Sequence, residues 1–105
     1  MIIDDLLRDV PSVRHAVLLT PDGLVRHHSP SLDRTTAEYL APAGAMLRSV
    51  AHRVGGLLRA GEAHQVTLSF GAGALVLVGA GPDTLAVTTD GAPEEVLRHL
   101  PDQPA

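Results

Sequence analysis

The stretch DRTTAEYLAPAGAMLRSVAHRVGGLL, residues 33–58, decides the fold. Within it Ala37, Leu40, Gly44, Leu47, Ala51, Val54 and Leu58 recur at alternating spacings of three and four, which lines them along one stripe of a helix ending near residue 58. That stripe predicts the face turned toward the core. Asp33 and Thr35 compete as N-caps, and Thr35 followed three residues later by Glu38 matches a capping box. Pro42 removes one backbone hydrogen bond, so a bend or irregular turn is expected over residues 38–42. Gly55 and Gly56 weaken the helix end, and Gly61 supplies a stop. A second set, Ala43, Val50 and Leu57, repeats every seven residues and widens the apolar arc beyond what covering one sheet requires. Something else is expected to pack against that flank.

The segments on either side supply the sheet. IIDDLLRD, residues 2–9, places Ile2, Ile3, Leu6 and Leu7 on one side of a short helix that Pro11 ends. HAVLLT (15–20) and LVRHHS (24–29) read as two strands joined through Thr20-Pro21-Asp22-Gly23, with Pro presetting φ and Gly free to take positive φ. HQVTLSF (64–70) alternates, with Val66, Leu68 and Phe70 facing one way and Gln65, Thr67 and Ser69 the other. ALVLVGA (74–80) and TLAVTT (84–89) follow through Gly-containing turns as a meander. Pro93 opens a last short helix with Glu94 and Glu95 in its first turn, and PDQPA (101–105) is expected to be a flexible tail. The predicted fold class is α+β (α/β layered): a five-stranded antiparallel sheet, a long central helix and short terminal helices, in one domain over residues 1–100.

Composition removes whole classes of function. The chain has 105 residues, 45% hydrophobic and 19% charged, which suits one globular domain. It has no Cys, so disulfides, thiolate metal sites and thiol nucleophiles are excluded. All eight basic residues are Arg, which excludes a P-loop lysine and Schiff-base chemistry. A net charge of -4 with no basic run argues against nucleic acid as a partner. No apolar run is long enough to span a membrane, and MIIDDLLRD carries acids where a signal peptide needs basic residues, so a cytoplasmic protein is expected.

The candidate chemical motifs fail one by one. GAGALV places Val76 where a dinucleotide fingerprint needs its third Gly, and it lies between antiparallel strands. Six histidines (15, 27, 28, 52, 64 and 99) raise the question of a metal, yet His27 and His28 point to opposite faces of a strand and no HExxH or i,i+4 pair exists. His52 or His64 with nearby acids is the residual metal candidate, and surface or turn histidines are the better reading. Ser69, in TLSFG, lacks the upstream Gly of a nucleophile elbow. Asp4, Asp5 and Asp9 read as solvated charges. No catalytic, metal or cofactor residue is therefore assigned. What remains is the apolar flank of the long helix and an edge strand, HQVTLSF, protected only by His64. Such an edge is covered or paired with another chain, which points to function by association.

VPSVRHAVLLTPDGL (10–24), SLDRTTAEYLA (31–41) and the meander after them resemble the Roadblock/LC7 family, especially its actinobacterial branch, which is similar in topology to profilin and longin domains. The resemblance implies a noncatalytic protein that forms homodimers, or heterodimers with a related chain, through the long helices and through third strands joining into one continuous sheet. It further implies binding to a small Ras-like GTPase, in a setting that includes a sensor-kinase-like protein. Carried onto this sequence, the dimer positions are Leu47, Val50, Val54 and the strand Gln65, Val66, Thr67, Leu68 and Ser69; the seven-residue repeat adds Leu57. DGAPEEVLRHLPDQPA is shorter than the final helix of the branch, which predicts that one sheet face is less completely covered. A structural scaffold without GTPase contact and a small-ligand sensory module are the alternative readings.

Overall fold

The computed structural model describes residues 2–100; the expected tail over 101–105 lies outside the described residues. The elements are α1 (Ile2–Asp9), β1 (Val13–Leu19), β2 (Val25–His28), α2 (Arg34–Leu57), β3 (Gln65–Phe70), β4 (Gly73–Ala80), β5 (Asp83–Thr89) and α3 (Pro93–Arg98). The five strands form one antiparallel sheet in the order β2-β1-β5-β4-β3, so β2 and β3 are its edges.

Strand alternation sorts the apolar residues onto two faces. On one, Ala16, Val76, Val78, Leu85 and Val87 pack against Ile3 and Leu6 of α1 and Val96 of α3. On the other, Val17, Leu19, Leu75, Leu77 and Ala86 pack against Ala37 and Ala41 of α2. The short terminal helices thus cover their face over β1, β5 and β4. Over β3 the same face stays open, with Gln65, Thr67 and Ser69 exposed. The Ser12 hydroxyl donates to Glu95 at 3.1 Å and ties α3 to the start of β1.

The structure decides between the local expectations about the start of α2. Its N-cap is Asp33, in extended conformation, without a geometrically complete side-chain cap bond. The neighbouring Thr36 hydroxyl nevertheless holds the Asp33 carboxyl below the ordinary carboxylate range. The Thr35–Glu38 capping box does not form: Thr35 is the second helical residue, and Glu38 turns to Arg34 at 3.6 Å. The helix runs unbroken through Pro42, whose ring side carries the β1–β2 turn. A Cβ at Gly23 would stand 2.9 Å from the Pro42 Cα, and Gly23 has φ +82, so glycine is required there on both counts.

The core stripe is also corrected. Ala37, Ala41 and Gly44 are the buried residues of α2, whereas Val54 and Leu58, expected in the core, stand exposed. Arg48 follows Gly44 by four residues on the sheet-facing line, and with that guanidinium beneath it the second half of the helix buries no large apolar side chain. The helix ends in a Schellman arrangement: Ala60 N–H donates to the Gly55 carbonyl at 2.8 Å and Arg59 N–H to that of Gly56 at 3.1 Å. Arg59 takes the left-handed position, φ 53, that usually belongs to glycine.

Candidate association surface

Eight large hydrophobic residues are exposed among those described. Five of them, Tyr39, Met46, Val50, Val54 and Leu57, lie in α2, and Leu58 caps it. Such clustering is not the scattered exposure of an ordinary surface. Their spacings of seven, four, four and three place them on the solvent side of the helix. Val50 and Val54 are half exposed, at 48% and 47%, and Leu57 is 79% exposed. Leu47 is half-buried and packs on the α2-side core, so it joins the stripe to the sheet.

The strand beside this stripe is β3. Val66 and Leu68 pair with Leu77 and Leu75 of β4, face α2 and pack on the same core cluster. Phe70 continues that face and is 62% exposed. The predicted dimer positions therefore divide: Leu47, Val50, Val54, Leu57, Val66 and Leu68 share one side of the sheet, while Gln65, Thr67 and Ser69 project from the other. All five β3 positions still share one backbone, hydrogen-bonded to β4 along one edge only. The two sheet edges differ in protection. β2 is four residues long and carries Arg26, His27 and His28, whereas β3 is six residues long and has no charged side chain. An uncharged, unpaired edge offers main-chain donors and acceptors to another strand.

Tyr39, Met46 and Phe70 were not among the positions expected from sequence. The signal for the first two was present, since Tyr39 and Met46 are seven apart and extend the flank marked by Ala43, Val50 and Leu57. Phe70 was legible as part of the β3 apolar alternation, but alternation alone does not tell a covered face from an open one.

The other chemical candidates stay apart. Among the described residues no group of three or more His, Cys, Asp or Glu side chains could hold a metal ion. His15 meets the Ser31 hydroxyl, His28 the Ser29 carbonyl and His99 the Glu95 carbonyl. On α1, Arg8 donates to Asp9 at 2.9 Å and to Asp5 at 3.2 Å, and its hydrogen bond holds the Asp9 carboxyl below the ordinary range. These acids are exposed surface pairs. Gly73 has φ +138, and a Cβ there would lie 2.2 Å from the Thr89 carbonyl oxygen, so GAG serves a tight turn and a close backbone approach. Among the described residues no helix is long and apolar enough to cross a membrane.

Residues 2–90 match the family model described as Roadblock/LC7 domain. A Roadblock/LC7 domain structure from Streptomyces avermitilis is 30% identical, with 84% of this chain and 74% of that one covered at a TM-score of 0.79. A second from the same organism is 35% identical, covering 93% and 85% at a TM-score of 0.68. MglB of Myxococcus xanthus is 14% identical and shares the fold, covering 93% and 81% at a TM-score of 0.81. No curated protein matches the chain.

Proposed function

The chain belongs to the Roadblock/LC7 domain family, and from that premise we propose that it is a noncatalytic, dimeric regulatory or scaffold subunit that binds a small Ras-like GTPase in a cytoplasmic bacterial signalling complex. The observation that carries this reading is the exposed apolar stripe of α2 beside the uncharged edge of β3. A two-fold axis between two copies sets α2 antiparallel to its mate and β3 antiparallel to its mate, so one operation covers both features. The two five-stranded sheets become one of ten strands. The stripe from Tyr39 to Leu57 runs about 27 Å along the helix, long enough to support an interface of standard size.

GTPase binding is the part of this reading that family membership supports. A sensor-kinase-like protein is the further partner expected in the same complex. In-cell cross-linking followed by pull-down with this chain as bait tests the partner assignment. Recovery of a Ras-like GTPase is the expected result. Recovery of a sensor-kinase-like protein without any GTPase would replace the reading with that of a structural scaffold.

A further inference from the structure

On the flank of α2 away from the apolar stripe, a cavity of about 310 Å³ opens between the helix and the two sheet turns that carry Pro21 and Pro82. Arg48, Ser49, His52 and Thr84 supply its polar lining. Arg48 comes from the sheet-facing line of the helix, where a core side chain would otherwise stand. Gly79 leaves room for it: a Cβ at that position would lie 3.4 Å from Nη1. Nη1 donates to the Thr84 hydroxyl at 3.4 Å, while Nε is buried without a partner. Among the described residues no carboxylate pairs with this guanidinium.

The histidine makes the shortage of acceptors sharper. Ala63 N–H donates to His52 Nδ1 at 3.3 Å, and Arg48 Nη2 stands 3.2 Å from His52 Nε2. Both neighbours are donors. A neutral imidazole has one accepting nitrogen, so it satisfies one of the two, and an imidazolium satisfies neither. With Nδ1 accepting from Ala63, Nε2 bears its own hydrogen and meets the guanidinium donor to donor. One oxygen atom beside this pair, on the open side of the recess and bridging Nη2–H and Nε2–H, accepts from both and removes the conflict.

We propose that this recess binds a phosphoryl group, with Arg48 as the charged anchor, His52 as the second donor, and the Ser49 and Thr84 hydroxyls completing the set. A phosphoryl group fits better than a carboxylate because it presents three acceptor oxygens and up to two negative charges to a cation that lacks a counter-charge. The cavity exceeds what a bare phosphate fills, which leaves space for the organic part of a small phosphomonoester. The site is independent of the association surface, because it lies on a different flank of α2 and uses none of the stripe residues.

The test is a titration of the uniformly 15N-labelled full chain, at constant ionic strength, with inorganic phosphate, glycerol 3-phosphate and acetate in separate arms. Saturable shifts of the Ser49, His52, Ala63 and Thr84 amides with phosphate are expected. Tighter saturation with glycerol 3-phosphate identifies a phosphorylated metabolite as the ligand, and equal saturation identifies free phosphate. Arg48→Gln should weaken binding about tenfold or more, the loss expected for one charged hydrogen bond. Ser49→Ala, at an exposed position, should fold normally and weaken it less. Non-saturating shifts, saturable shifts confined to another surface, or acetate binding as tightly as phosphate would overturn the assignment. So would an unchanged response in Arg48→Gln or, where that variant does not fold, in His52→Ala.

Discussion

Replacing Val50 with Asp separates association from folding. Val50 is 48% exposed in the protomer and belongs to neither buried cluster, so the single chain has little to lose. Full burial of a valine contributes roughly 1.5–3 kcal/mol, and the half that a partner helix would cover therefore contributes about 1 kcal/mol in each protomer. Two-fold symmetry counts this twice, for about 2 kcal/mol per dimer. Asp adds the desolvation of an unpaired carboxylate from each copy, and the open rim of the seam keeps that addition to about 2 kcal/mol in total. A loss on the order of 4 kcal/mol raises the dimer Kd about a thousandfold. Light scattering over a concentration series, with circular dichroism to verify the fold, reads the change. A folded V50D protein whose dimer Kd lies within about tenfold of wild type would refute the place given to Val50 in the helix contact.

Two further expectations rest on local geometry and a third on composition. A side chain at Gly44 meets Leu19 Cδ2 at 3.0 Å and Leu77 Cδ2 at 3.6 Å, so Gly44→Val overpacks the α2 side of the core. The cost should be about 2 kcal/mol, lowering Tm by about 10 °C in a thermal melt, and an unchanged Tm would show that the helix simply shifts. Arg59→Gly relieves a left-handed residue at the helix end and should stabilise the protein by about 1 kcal/mol in urea unfolding; destabilisation would mean that the Arg59 side chain makes a contact worth more than the strain. The purified chain alone should not hydrolyse GTP, since it has no lysine and no P-loop; turnover that persists through two unrelated purification schemes would contradict this.

The order of elements was legible because strand and helix periods differ. HQVTLSF alternates with period two, residues 33–58 repeat at three and four, and Pro or Gly marks the connections at Pro11, Gly23 and Pro93. Which neighbour each apolar stripe meets was less legible. Val54 and Leu58 satisfy the same three-and-four spacing as Ala37 and Gly44, and periodicity alone cannot show that the buried part of the helix ends after Gly44. The informative residue was Arg48, a cation on the sheet-facing line. Its meaning depends on Gly79 and Thr84, which lie more than thirty residues away and come close only through the β4–β5 hairpin. The N-cap was ambiguous for a related reason: Asp33 and Thr35 offer similar chemistry, and the path of the chain from Leu32, buried in the α2-side core, decides between them.

In the proposed dimer the α2 stripe and the β3 edge are covered by a second copy of this chain. Sedimentation equilibrium of the wild-type protein at micromolar concentration measures this without a label or a partner. The expected mass is twice the 11.0 kDa of one chain, falling toward one chain on dilution. A mass of 11.0 kDa throughout the micromolar range would contradict the homodimer and leave the exposed face of α2 to a different protein.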